Sequence, residues 1–219
     1  MKRTRASKII AAVIAVNVLL GIFAAWVILS PEYYALDQAI RKGKSLPRPP
    51  RHVTNAVMAV ERPWFVTGST RGALREIFVK EHRRLWLTSR PCGRICRMRR
   101  AIIIGLRRLS ESDETLLRAY IATVYLGEVN GRAIAGFQEA APAYFKQELA
   151  VMELPQCASL AGMIRWPVED SPAFPYRALS RRQTVLKLML FRKFITDAEY
   201  ERANAAPLIP YSALADPGS

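Results

Sequence analysis

A long uncharged segment near the N-terminus limits what this chain can fold into. From Ile9 to Ser30 the sequence IIAAVIAVNVLLGIFAAWVILS contains no charged side chain. As an α-helix the segment would rise about 33 Å at roughly 1.5 Å per residue, which is enough to cross the core of a bilayer. We therefore predict one transmembrane helix over 9–30, because no second segment is long and apolar enough to span.

The charges around this segment predict its orientation. Residues 1–8 form a basic flank, and the positive-inside rule keeps such a flank in the cytoplasm. Trp26 suits the interface at the outer end of the span. Residues 31–219 are then expected outside the cytoplasm. A cleaved signal peptide is the alternative, although VILSPEYY is a poor small-x-small cleavage site.

The net charge of +15 is concentrated in one further region. Residues 71–108 are rich in arginine and nearly free of acids. Outside the cytoplasm, such a cluster can attract anionic lipid head groups or a pyrophosphate. A solvated basic face without a ligand is the alternative. The predicted compartment argues against nucleic acid as a partner.

The rest of the chain has the pattern of an all-α protein, with no alternating strand pattern. We predict a juxtamembrane helix and Pro-rich linker over 31–52, one helical domain over 53–207 and a tail over 208–219. A capping box from Thr196 to Glu199 starts the last helix. The other expected helical segments are 72–87, 110–127, 132–147, 154–165 and 177–194.

Three cysteines bound the redox and metal chemistry. Cys92 and Cys96 have C-x3-C spacing, which is compatible with a small disulfide loop and would leave Cys157 unpaired. Only two histidines accompany them, His52 and His82, so a zinc site is not indicated.

Carboxylates are the remaining candidates for catalysis, and Glu61 is the foremost. It follows the apolar stretch NAVMAV, which would leave it partly desolvated at a helix end. A desolvated carboxylate tends to have a raised pKa, which suits a general base. An ordinary ion pair between Glu61 and Arg62 is the alternative, and the residues alone leave both open.

The C-terminal two thirds resembles a known family. The segment SESDETLLRAYIATVYLGEVNGRAIAGFQEAAPAYFKQ and the later ALSRRQTVLKLMLFRKFITDAE resemble the peptidoglycan glycosyltransferases of family 51. In particular, Tyr120, Tyr125 and Gly127 match a Y-L-N-x-x-Y-x-G pattern. Gly136 begins a match to G-x-x-A-A-x-x-Y-F. The resemblance is dense over 110–207 and thin over 53–70.

The resemblance implies a lysozyme-like helical fold, a membrane anchor and lipid II as the substrate of glycan elongation. It makes Glu61 the catalytic base in a remnant of the motif E-D-x-x-F-x-x-H-x-G. The family's second glutamate falls on Arg100, so its usual acid is missing. The resemblance also makes a divalent cation conceivable as cofactor. The residues that it marks for substrate binding are Phe65, Ser69, Thr70, Arg97, Arg99 and Arg100.

Three functions follow as hypotheses. The first is a peptidoglycan glycosyltransferase of the bacterial inner membrane that polymerises lipid II, with its main domain in the periplasm. The second is an inactive relative that binds lipid-linked precursor or a cell-wall synthase. The third is a basic membrane-tethered module that binds anionic lipid or glycan.

Overall fold

The computed structural model of the protein describes residues 2–61 and 93–207. Helices dominate this part of the chain, with one short β-hairpin and one 3-10 turn at Leu149–Val151. In chain order the helices and strands are α1 (Lys2–Ile28), α2 (Pro31–Ser45), α3 (Arg51–Glu61), α4 (Arg94–Ser110), α5 (Asp113–Thr123), β1 (Tyr125–Val129), β2 (Arg132–Ala135), α6 (Phe137–Phe145), α7 (Leu154–Met163), α8 (Pro175–Phe191) and α9 (Asp197–Ala205).

The apolar N-terminal segment forms α1, as the sequence predicts. Its stretch Ser7–Ile28 is 22 residues long and is long and apolar enough to cross a membrane. Most of that stretch is exposed, and Val27 near its C-terminal end is buried in the core. These properties are consistent with membrane anchoring.

Helix α2 follows α1 after a turn of two residues and joins the core. Ser30 caps α2 by accepting a hydrogen bond from the Tyr33 backbone N–H, and Pro31 occupies its first turn. Gly43 lets α2 approach α5 closely, because a Cβ atom there would lie 2.6 Å from the Ala119 nitrogen. The segment predicted as a juxtamembrane helix is therefore packed directly against the helical domain.

The hairpin is an element that the sequence reading missed. Strands β1 and β2 pair antiparallel, with Val129 opposite Arg132, around a two-residue loop. Both loop residues, Asn130 and Gly131, have positive φ angles of 52° and 74°. Asn-Gly is the preferred pair for such a turn. The hairpin therefore lies where the end of one helix and the start of the next are predicted.

Gly136 fixes the step from the hairpin into α6. Its φ of 91° lies in the region that favours glycine, and a Cβ atom there would be 2.3 Å from the Ala122 carbonyl oxygen. The Tyr144 hydroxyl of α6 also donates to the Leu126 carbonyl of β1 at 2.7 Å. Phe137 is fully buried, so the hairpin is held against α5 and α6.

The C-terminal helices close the core. Thr196 and Glu199 form the predicted capping box at the start of α9. Arg182 of α8 is buried and donates to the carbonyl of Ala206 at 2.6 Å, just after α9 ends. Burial lowers the pKa of Arg182 from its usual value.

The fold-class prediction is confirmed: the described protein is mainly helical with one apolar N-terminal helix. Two features of the predicted secondary structure differ from the structure. Residues 125–127 and 132–135 are strand rather than helix, and α4, which begins at Arg94, lies almost entirely outside the predicted helical segments. The predicted helix over 72–87 lies outside the described residues.

Candidate functional site

Glu61 is the last residue of α3 and is half-buried. Val53 and Val57, eight and four residues before Glu61 on the same side of α3, are fully buried, as is Ala56. The guanidinium of Arg192, beyond the end of α8, donates to the Met58 carbonyl at 2.9 Å. Core packing and this hydrogen bond together hold the last turn of α3, which carries Glu61.

The carboxylate of Glu61 also has a partner on another helix. The Tyr120 hydroxyl of α5 donates to Glu61 Oε1 at 3.2 Å, and Tyr120 is almost fully buried. A buried hydroxyl can orient a carboxylate without neutralising its charge. The arrangement leaves Glu61 able to accept a proton, as a general base must.

The arginine-rich helix α4 is held against the C-terminal end of α1 and the start of α2. Arg99 Nη2 lies 2.8 Å and 3.0 Å from the two carboxylate oxygens of Glu32, which is buried. The Arg99 guanidinium also lies over the Trp26 ring, 5.3 Å from its centre. A cation over an indole face is a favourable contact. Arg99 is therefore engaged by Glu32 and Trp26.

A second contact between α4 and α2 lies two turns further along. Arg107 forms an ion pair with Asp37 and lies over the Tyr33 ring, 4.7 Å from its centre. Burial would raise the pKa of Asp37, but hydrogen bonds and charge from Arg41 and Arg107 lower it below its usual value. Two acids of α2 thus hold two arginines of α4.

The other two predicted arginines of α4 differ in their environments. Arg97 is exposed. Arg100 is half-buried, and its Nε and Nη2 atoms have no hydrogen-bond partner in the described protein. Burial lowers the pKa of Arg100, Glu32 opposes that effect and Arg99 adds to it. Arg97 is therefore accessible from solvent, whereas Arg99 donates to Glu32 and the Nε and Nη2 atoms of Arg100 are buried.

The structure does not bring all predicted site residues together. Glu61 contacts α5, whereas Arg99 contacts α1 and α2. Phe65, Ser69 and Thr70 lie outside the described residues, as does Arg62, the alternative partner of Glu61. The role of each as a site residue stays a prediction.

The structure shows the oxidation state of two of the three cysteines. Cys96 is disulfide-bonded, and Cys157 is a free, buried thiol. The Cys96 sulfur lies 3.2 Å from Glu32 Oε1. Burial raises the pKa of Cys157 to about 12, so its thiol stays protonated at neutral pH. Cys92 lies outside the described residues.

The sequence reading missed two residues of this region. Glu32 follows Ser30 and Pro31 and has the pattern of an ordinary helix-start acid. Its contact with Arg99, 67 residues away, has no local signal. The sequence marks Tyr120 only as part of the Y-L-N-x-x-Y-x-G match. Nothing in its own segment indicates that its hydroxyl contacts Glu61.

A divalent cation finds no support in these residues. Within 2–61 and 93–207, no three His, Cys, Asp or Glu side chains form a group that could hold a metal ion. Arg100, on which the family resemblance places the second glutamate, carries a positive charge that would repel a cation.

Comparison with known proteins shows what these helices are similar to. Residues 98–190, from α4 to α8, match the family model described as transglycosylase. This segment is similar to transglycosylase domains. The similarity of the chain to parts of penicillin-binding proteins 1A and 1B confirms the resemblance seen in the sequence.

The chain is similar to parts of much longer proteins. Penicillin-binding protein 1B of Vibrio cholerae is 36% identical over 140 residues, which are 64% of this chain and 17% of that protein. A putative transglycosylase of Cupriavidus necator is 35% identical over 98 residues, 44% of this chain and 41% of that protein. A crystal structure of penicillin-binding protein 1A from Haemophilus influenzae aligns with a TM-score of 0.44 at 21% identity, over 73% of this chain and 16% of that one.

Proposed function

We propose that this protein is a membrane-anchored glycosyltransferase that polymerises glycan strands from lipid II, with Glu61 as its base. The observation that carries the proposal is the Glu61 carboxylate, fixed at the end of α3 and oriented by Tyr120, within a chain that is similar to transglycosylase domains. Glu61 would take the proton of the acceptor hydroxyl. That hydroxyl oxygen would attack the anomeric carbon of the donor as the pyrophosphate leaves.

Positive charge near the leaving group is the second requirement. Charge develops on the departing pyrophosphate, and fixed cations stabilise it in the transition state. In this proposal Arg97 and Arg100 supply that charge. Arg99 serves mainly to attach α4 to α2, because Glu32 already holds it.

The proposal places the domain on the outer face of the bacterial inner membrane. The basic flank before α1 supports a cytoplasmic N-terminus. Lipid II presents its sugar outside the cytoplasm, where no nucleotide sugar is available as donor. Alkaline phosphatase fused after Ser219 should be active in cells, since that enzyme folds only in an oxidising compartment. An inactive fusion would contradict this orientation.

An inactive family member is the second candidate, and one observation favours it. Arg100 stands where the family resemblance places a second glutamate, so a positive charge replaces an acid. Such a protein would still bind lipid-linked precursor, or a cell-wall synthase, through the retained fold.

Labelled lipid II separates these functions. The full chain, a Glu61→Gln variant and a Glu169→Gln variant are assayed side by side, the last because Glu169 is an exposed loop acid. Polymer from wild type and Glu169→Gln, but not from Glu61→Gln, supports the proposal. Binding without polymer assigns the chain to the inactive family members. Neither polymer nor binding leaves a basic lipid- or glycan-binding module.

A further inference from the structure

An open cavity of about 370 Å³ lies along the N-terminal half of α8. Its lining residues carry carboxylate, guanidinium and hydroxyl groups: Asp170, Tyr176, Arg177, Ser180, Arg181 and Thr184. This volume is at the small end of the range for ligand sites, which is about 300–1,000 Å³. The cavity is therefore large enough for one polar ligand of the size of a single ring.

Helix α8 supplies one wall of the cavity. Arg177, Ser180, Arg181 and Thr184 have the spacing i, i+3, i+4 and i+7, which puts them on one face of the helix. The other side of α8 is fixed in the core, where Val185 is fully buried. The polar face of α8 is therefore held in place by the packing behind it.

The loop before α8 supplies the other wall and is held by turns. The backbone N–H groups of Asp170 and Phe174 donate to the carbonyls of Trp166 and Ser171, each at 2.9 Å. Pro175 then occupies the first turn of α8. Asp170 is consequently fixed beside α8 before any ligand arrives, which lowers the ordering cost of binding.

Contacts within the protein leave these polar groups able to bind a ligand. Arg177 Nη2 and Arg181 Nε lie 3.4 Å and 3.9 Å from oxygens of the Asp170 carboxylate, which are long separations for an ion pair. The Thr184 hydroxyl donates to the Ser180 carbonyl at 3.0 Å, so its oxygen can still accept. The cavity thus offers both donors and acceptors.

Exposed aromatic rings accompany these polar groups. Tyr176 lines the cavity and is 91% exposed, and Trp166 and Phe174 in the preceding loop are 53% and 50% exposed. Aromatic side chains normally stabilise a fold through their burial, so three exposed rings in one short segment indicate a binding surface.

This combination of groups indicates a saccharide ligand. The carboxylate of Asp170 disfavours an anion such as phosphate, and the guanidinium groups of Arg177 and Arg181 disfavour a cation. A neutral sugar avoids both penalties. Its hydroxyl groups donate to a carboxylate and accept from a guanidinium, and its C–H face can lie on the negative face of an aromatic ring.

We propose that this cavity binds one sugar residue of a glycan strand, with the sugar ring on Tyr176 and its hydroxyl groups on Asp170 and Arg177. The saccharide chemistry follows from the cavity, whereas the assignment to a strand made by this protein rests on the proposed function. Arg177 lies about 22 Å along the axis of α8 from Arg192, which holds the turn that carries Glu61. The cavity is thus a second sugar site that would retain the strand as it grows.

Calorimetric titration of the full chain with chitotetraose tests this site. Chitotetraose is a soluble tetramer of β-linked N-acetylglucosamine without lipid or pyrophosphate, and the detergent used must have no sugar head group. Wild type should bind the tetramer, and Tyr176→Ala should weaken binding about tenfold because it removes the ring on which the sugar lies. Tyr34→Ala is the matched control, since Tyr34 of α2 is 64% exposed and does not line the cavity.

Arg177→Gln should also weaken binding of the tetramer, because it removes a donor to the sugar hydroxyl groups. Equal affinities of wild type and Tyr176→Ala, an equal loss in Tyr34→Ala, or no binding by wild type would overturn the proposal. Heat from inorganic phosphate that depends on Arg177, with none from the tetramer, would overturn it in favour of an anion site.

The Glu61→Gln variant separates this site from the proposed polymerisation. It keeps the cavity, so its affinity for the tetramer should equal that of wild type. A chain that makes no polymer but binds the tetramer through Tyr176 would refute polymerisation and leave the sugar site. Polymer from wild type, with tetramer affinity unchanged in Tyr176→Ala, would refute only the sugar site. Binding lost in Glu61→Gln but kept in Tyr176→Ala would place the sugar at Glu61 and overturn the second site.

Discussion

Replacing Glu32 by Gln should loosen the attachment of α4 to the rest of the protein. Glu32 is 5% exposed and its partner Arg99 is 19% exposed by side chain, with contacts of 2.8 Å and 3.0 Å. The glutamine keeps the shape and one acceptor oxygen but removes the charge. Arg99 would remain as a half-buried cation next to Arg100, without the carboxylate that balances it.

The expected loss in the free energy of unfolding lies between the values for exposed and for buried ion pairs. Exposed ion pairs contribute about 0–1 kcal/mol, whereas removing one partner of a buried pair costs about 3–5 kcal/mol. With one partner buried and the other partly accessible, we expect a loss of about 2 kcal/mol in the free energy of unfolding. For a chain of this size that corresponds to a melting temperature lower by about 4–8 °C.

The measurement is thermal unfolding of the full chain in detergent micelles, followed by circular dichroism. A double-mutant cycle with Arg99→Gln isolates the pairwise energy from other effects of each substitution. Glu114→Gln is the matched control, because its partner Arg48 is 79% exposed and the pair is separated by 3.4 Å. If the cycle energy for Glu32 and Arg99 were no larger than that of this exposed pair, the reasoning would be refuted.

Two further substitutions and one thiol reaction test other parts of the structure. Tyr120→Phe removes a hydrogen bond of 3.2 Å to Glu61, worth about 1.5 kcal/mol for a charged acceptor, so lipid II polymerisation should fall about tenfold. The melting temperature should fall little, and unchanged kcat/KM would argue against a positioning role. Gly136→Ala must hold φ near 91° with a Cβ atom 2.3 Å from the Ala122 carbonyl, so it should destabilise by at least about 2 kcal/mol; an unchanged melting temperature would contradict that geometry. Cys157, with its pKa raised to about 12 by burial, should react with Ellman's reagent at pH 8 only after denaturation, and rapid reaction of the native protein would show that the thiol is accessible.

Local chemistry explains which elements the sequence predicts well. The cap at Ser112, the capping box at Thr196 and the apolar run of α1 are short-range signals, and each appears in the structure. The hairpin also has a short-range signal in Asn130-Gly131. The predicted helix over 110–127 nevertheless continues past Thr123, where α5 ends.

The candidate site was predictable only in part, for a physical reason. Glu61 could be named from its own segment and from the family motif. Its partner Tyr120 lies 59 residues away, and the pair forms only when α3 and α5 meet. The capture of Arg99 by Glu32 is also a tertiary contact. Sequence patterns therefore indicated which charged residues are present, but not which charges neutralise one another.

The hydrogen bond from Arg192 to Met58 has a consequence for how the protein matures. It joins residues 134 positions apart, so the turn that carries Glu61 is completed only after Arg192 has been synthesised. At about 5–20 residues per second, that separation is roughly 7–27 seconds of translation. During this time the candidate base is not yet fixed. Any activity that depends on Glu61 would then begin only after Arg192 has joined the fold, and products truncated before Arg192 would lack this contact.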